Sequence, residues 1–328
     1  MLFLLRNIRN KLLSGNKLTI YPLYANGKII PIMAALLILP GCQVPSPEQQ
    51  TDQPLDSAVT YRSQWQNEIE ELKKAADELL YNVGNHNHEA MRINSLPETN
   101  IGKASIVDGV PKASSMTLQG FFDLVNSRST PTPFYQPAHK YNVEVREGRL
   151  GLVSLEGIIH RFGVPQTFED AFFTFIKDGD AWKLFSVSYT GFQLPEEEQV
   201  FSMEAFAKGY AQVWGSTHPE FVAMFFAEDG SLQINEDDPS VGREAIAEAA
   251  KYFMDELPDM IVRCDSLVET ETGANFYWTL LATHAASGNK VNVAGYEEWI
   301  MSKGRIKTSQ GHFPSDIYNE QIKTGSAN

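Results

Sequence analysis

Between residues 58 and 322 the apolar side chains pass twice from helical to strand spacing, and that alternation restricts the fold more than any other feature. A spacing of three and four residues marks one face of a helix, and a spacing of two marks a half-buried strand. Trp65, Ile69, Leu72, Ala76, Leu79 and Val83 recur at the helical spacing, with Glu70 and Lys74 paired on the opposite, solvated side. A short helix is expected at residues 118–126, and Pro131 and Pro133 break the chain after it. From Lys140 the spacing falls to two. Strands are expected at 141–146, 150–162, 168–177 and 182–189, separated by the turn-like Glu147-Gly148 and Asp178-Gly179-Asp180. Helices followed by a meander of antiparallel strands imply an α+β fold, with helices on one face of a sheet.

The order then restarts. After the acidic break Leu194-Pro195-Glu196-Glu197-Glu198, helices are expected at 203–214, 218–226 and 242–257, with a short strand at 231–234. Four more strands are expected at 261–270, 275–284, 291–301 and 305–313. The simplest reading is a duplicated architecture, with a first domain at 58–194 and a second at 199–322. An exposed break between them is where domain boundaries usually fall.

Several short runs resemble a known family. Phe226-Ala227-Glu228-Asp229-Gly230, Val241-Gly242-Arg243-Glu244-Ala245-Ile246, Trp278-Thr279-Leu280-Leu281-Ala282-Thr283-His284 and Gly304-Arg305-Ile306 occur in the order seen in SnoaL-like proteins. These are the polyketide-cyclase branch of the nuclear transport factor 2-like superfamily. The first half carries fewer such marks, in Gly148-Arg149-Leu150-Gly151-Leu152 and Trp182-Lys183-Leu184-Phe185-Ser186. The resemblance implies two tandem cones, each a curved sheet wrapped around helices, with a ligand entering between them. It leaves function open, because this superfold hosts isomerases, cyclases, hydratases and proteins that only bind. The cyclases of the family place an acid–base Asp eight residues beyond the hairpin Ile, and Pro314 stands there in this chain.

The amino-terminal segment has its own character. Residues 1–41 hold five basic residues and no acidic one, and an apolar run from Ile29 leads to Leu39-Pro40-Gly41-Cys42. That pattern reads as a signal peptide, with an apolar run too short to span a bilayer. The last four residues resemble the bacterial lipobox, which implies acylation of Cys42 as the new first residue. Gln43 after it resembles outer-membrane sorting. Residues 42–57, rich in Pro, Gln, Ser and Asp, read as a flexible tether. Loss of the leader would take the formal net charge from −14 to −19. A chain that acidic is not expected to bind nucleic acid. Cys264 is the only other cysteine, and no Cys/His spacing or Gly-rich loop suggests a metal or cofactor.

Candidate site residues come from the last hairpin. A two-residue turn at Lys303-Gly304 would pair Ser302 with Arg305, Met301 with Ile306, Trp299 with Thr308, Glu297 with Gln310 and Gly295 with His312. Alternation then places Met301, Trp299, Glu297, Ile306, Gln310 and His312 on one apolar face, with Glu297 and His312 as diagonal neighbours. Phe276, Trp278, Leu280, Ala282 and His284 share a face of the adjoining strand. A carboxylate near imidazoles in an apolar cavity would suit proton abstraction beside a carbonyl, with Glu297, His312 and His284 as the catalytic group. The alternatives are that His284 and His312 only end strands, and that a register slip turns Glu297 outward. Tyr210, Trp214, Trp278 and Trp299 would be pocket walls, or for Tyr210 and Trp214 simply core. In the first half, Glu156, His160, Asp170 and Tyr189 form no paired arrangement, so that half reads as a binding or packing module. His86 and His88 read as solvated residues of a polar loop. The expected function is that of an envelope lipoprotein binding a small apolar ligand or a protein partner without catalysis. The alternatives are an isomerase, cyclase or lyase in the second domain, and a structural role in which domains or copies pair.

Overall fold

The computed structural model describes residues 24–25, 28–29, 65–128 and 131–325. Cys42, the tether and all but four residues of the segment read as a leader lie outside them. Those four form a minimal antiparallel ladder, Tyr24–Ala25 with Lys28–Ile29. The rest of the described chain forms two six-stranded sheets with seven helices, the α+β arrangement expected from the order of spacings.

The first half runs α1 (Gln66–Gly84), α2 (His88–Ile93), β1 (Ser95–Val107), β2 (Val110–Thr117), α3 (Leu118–Asn126), β3 (Ala138–Arg146), β4 (Leu150–Arg161), β5 (Val164–Asp178) and β6 (Ala181–Gln193). The second runs α4 (Met203–Trp214), α5 (Pro219–Ala223), β7 (Phe226–Ile234), β8 (Ser240–Val241), α6 (Arg243–Glu256), β9 (Ile261–Glu269), β10 (Gly273–Thr283), β11 (Lys290–Ser302), β12 (Arg305–His312) and α7 (Ser315–Thr324). The strand orders are β2-β1-β6-β5-β4-β3 and β8-β7-β12-β11-β10-β9, which is one topology used twice. In each sheet a single pair is parallel, β1 with β6 and β7 with β12.

Each sheet closes over its own core. Leu72 and Ala76 of α1 are fully buried against Phe122, Leu155, Phe175 and Leu184. In the second domain Phe206 and Tyr210 of α4 meet Phe226, Phe276 and Trp299. Each such side chain contributes about 1.5–3 kcal/mol by leaving water, and the rings add edge-on contacts, as between Tyr210 and Trp299 at 5.3 Å.

The two halves lie in one compact unit, held by a buried polar seam. Asn85 Nδ2 donates to Gln212 O at 2.9 Å, and Gln212 Nε2 donates to Asn85 Oδ1 at 3.1 Å and to Phe134 O at 2.9 Å. The Phe162-Gly163 turn takes positive φ at both residues and presses on α4. A Cβ on Gly163 would sit 2.8 Å from Phe206 Cβ and from Ser202 O, so only glycine fits.

This seam corrects the reading of His86 and His88. The Asn-His-Asn-His run is polar because it docks the halves together, with Asn87 Nδ2 donating to Gly215 O at 3.3 Å. His86 is buried, its ring edge-on to Phe221 at 5.2 Å, and His88 opens α2 stacked on Phe122 at 4.4 Å. Burial, aided by the charges of His218, His88, Arg161 and Arg128, pushes the His86 imidazole down to about 4.

Candidate functional site

The Lys303-Gly304 turn forms with positive φ at both residues, and Met301 pairs with Ile306 and Ser302 with Arg305. The next pair is Ile300 with Thr308, which leaves Lys307 as an extra residue on β12. This bulge moves every later pair by one: Trp299 faces Ser309, Glu297 faces Gly311 and Tyr296 faces His312. Alternation along β11 is untouched, so Glu297 and Trp299 point into the core. On β12 the inward set becomes Ile306, Ser309 and Gly311, and His312 turns to the other face.

The expected Glu297–His312–His284 group therefore does not form. His312 stacks on Tyr296 at 4.7 Å and lies 3.9 Å from Glu298, on the outer face of the sheet. His284 sits just past the end of β10, where its Nδ1 lies 2.8 Å from Ser287 Oγ in the following loop. Bulge and strand end, rather than a slip of the whole hairpin, separate the three residues.

Glu297 has other partners. Its Oε2 accepts from Ser309 Oγ at 2.7 Å, Trp299 Nε1 at 2.8 Å and Tyr210 OH at 3.2 Å. Its Oε1 has only a long contact with Tyr210 OH at 3.5 Å. Burial raises the carboxyl above the ordinary carboxylate range, and the three donors pull it part of the way back. The same burial, with the adjoining carboxylate, holds the Tyr210 phenol well above its usual value. Ser309 escaped the sequence reading because the bulge alone brings it inward.

Glu297 forms one wall of a cavity of about 60 Å³ between the sheet and α4, α6 and α7. Trp214, Phe253, Trp278, Phe313 and Tyr318 supply most of the remaining lining. Of the expected wall residues, Trp214 and Trp278 line the cavity. Tyr210 and Trp299 lie behind it and hold Glu297. Trp278 Nε1 is buried without a hydrogen-bond partner among the described residues. Pro314, at the position of the cyclase acid, caps the amino end of α7 and has no proton to transfer. Tyr318 of that helix closes one end of the cavity, its hydroxyl donating to Glu256 at 3.1 Å. The arrangement offers an apolar chamber with one carboxyl oxygen that has only a long contact and one indole N–H without a partner among the described residues. Among the described residues, no histidine lines this cavity.

The family model for the SnoaL-like polyketide cyclase matches residues 204–313. No curated protein matches the sequence. Among solved structures, a protein with a ketosteroid isomerase-like fold from Catenulispora acidiphila, in complex with trimethylamine, aligns at 15% identity over 35% of this chain and 88% of its own, with a TM-score of 0.33. A protein described as a SnoaL-like polyketide cyclase from Jannaschia sp. aligns at 10% identity over 34% and 83%, TM-score 0.32. One described as a polyketide cyclase from Bacillus cereus aligns at 14% identity over 40% and 85%, TM-score 0.34. Residues 204–313 thus form a SnoaL-like domain, the second of two sheet domains that share one strand order.

Proposed function

We propose that the second domain binds a small, mostly apolar molecule through one polar group, held by Glu297 Oε1 and Trp278 Nε1, without transforming it. The carrying observation is the uneven load on Glu297, with three donors on Oε2 and almost nothing on Oε1. Burial raises the carboxyl, and a proton on it would sit on the less occupied oxygen, Oε1, within reach of a guest's carbonyl. The orphan Trp278 N–H offers a second donor, and a buried donor without a partner is costly until something accepts from it. Cavities that hold drug-sized ligands run to about 300–1,000 Å³. At about 60 Å³ this one suits a much smaller guest unless Phe313 and Tyr318 move aside. Cyclohexanone is a suitable probe. It should quench tryptophan fluorescence saturably, and Trp278→Phe should weaken its binding about tenfold, the worth of one well-made hydrogen bond to a buried donor. Equal binding by Trp278→Phe would sink the reading.

A second reading, acid–base catalysis beside a carbonyl, draws on the raised carboxyl of Glu297. It predicts wash-out of α-deuterium from bound cyclohexanone, whereas pure binding predicts retention.

The leader and Leu39-Pro40-Gly41-Cys42 further support placement as a lipid-anchored protein of the cell envelope, on the outer-membrane side given Gln43. Cys42→Ser should move the protein from the membrane to the soluble fraction. Unchanged fractionation would refute the anchor.

A further inference from the structure

A chamber larger than the Glu297 cavity lies in the first domain, the half whose sequence looked poorer in chemistry. It measures about 330 Å³, within the range of ligand sites. Its walls are apolar, from Leu79, Ile101, Leu118, Val125 and Phe173 among others. Lys103, Arg128 and Arg161 also line it, against a single carboxylate, Glu169. The chain as a whole carries a formal charge of −14, so three cations around one chamber run against its general character.

None of the three forms an ion pair with a carboxylate among the described residues. Arg161 donates from Nη1 to Thr132 O at 3.0 Å and lies 5.7 Å from the Phe134 ring. The group is half-buried, and the hydrogen bond it makes goes to a main-chain carbonyl rather than to a carboxylate. Lys103 lies over the Tyr189 ring at 5.8 Å, and Arg128 is exposed. Glu169 is already engaged, accepting from Gln136 Nε2 at 3.0 Å, and burial raises its carboxyl. His88 adds an Nε2 that is buried and unpartnered among the described residues. A buried polar atom left unpartnered inside a chamber marks where a bound group would make a hydrogen bond.

We infer that the first domain binds an organic acid, an apolar chain in the chamber with its carboxylate held by Arg161, Arg128 and His88. A carboxylate matches the planar fork of arginine, and a buried charge-assisted pair exceeds a neutral hydrogen bond. The apolar walls take the chain, and the excess positive charge would draw the anion from solution. The site is separate from the Glu297 cavity and independent of the reading given for it.

Isothermal titration of the intact chain with octanoate, and with octanol as its uncharged counterpart, tests the inference. Octanoate should bind at least tenfold more tightly than octanol, and added salt should narrow the difference. Arg161→Gln should weaken octanoate about tenfold while leaving octanol unchanged, and Arg161→Lys should restore part of the loss. Ala171→Phe, which fills the chamber, should abolish both, with folding checked by circular dichroism. If Ala171→Phe fails to fold, the arginine pair still decides. Equal affinities, no binding of either probe, or octanoate binding that survives Arg161→Gln would overturn the inference. So would binding that survives a folded Ala171→Phe variant, since the anion would then sit outside the chamber.

Discussion

Glu297 is buried with its three short donor contacts on one oxygen and a single long one on the other. Three neutral donors offset the cost of taking Glu297 out of water only in part, which is why its proton affinity rises. The sign of the linkage follows. Between the ordinary carboxylate pKa and the raised folded value, the folded protein binds more protons than the unfolded chain, so stability falls as pH rises through that window. Glu297→Gln removes the titration and keeps an oxygen for the three donors. The melting temperature of Glu297→Gln relative to the parent should therefore increase from pH 4.5 to pH 7.5. A domain of this size moves roughly 2–4 °C per kcal/mol. A pH-independent difference between the two proteins would show that Glu297 titrates normally. His86 works in the opposite sense, because its lowered value withdraws stability as pH falls from about 6.5 toward 4. The two trends are separable because only one of them disappears in Glu297→Gln.

At the scale of elements, legibility depended on how strongly each segment committed itself. The helices at Leu118–Asn126 and Met203–Trp214 show a clear apolar stripe and were readable to the residue. The pair β1 and β2 was not. Its residues are mostly exposed, Pro97, Gly102 and Pro111 interrupt it, and β2 is an edge strand, so the pair carries little alternation. Helix α7 follows the last strand with two buried residues, Tyr318 and Gln321, too few to set a visible stripe. The candidate site divides along the same line. The Lys303-Gly304 turn and the inward face of β11 were legible, which is how Glu297, Trp299 and Trp278 were found. The Lys307 bulge has no mark in Arg305-Ile306-Lys307-Thr308-Ser309, since nothing there demands an unpaired residue. One extra residue replaced a histidine with a serine as the partner of Glu297.

For the whole molecule, the repeated strand order could suggest two independent beads, yet the chain invests buried polar groups in joining them. Asn85 and Gln212 satisfy each other across the seam, so removing either strands the other. Gln212→Ala should cost about 1–3 kcal/mol, and so should Asn85→Ala. The double variant should cost clearly less than the sum, because the second change removes a group already left unpaired. Additive effects in denaturant unfolding would mean that the pair does not couple the halves. The two chambers also divide the molecule chemically. The small one in the second domain presents a single carboxyl, and the large one in the first presents cations.

Everything proposed for the second domain depends on where a guest places its polar atom. A crystal structure of the protein soaked with cyclohexanone measures that directly. The account predicts the ring among Trp214, Phe253 and Phe313, and the carbonyl oxygen within hydrogen-bond distance of Glu297 Oε1 and Trp278 Nε1. A ring that binds elsewhere, or one that fills the cavity with its carbonyl turned away from both groups, would contradict it.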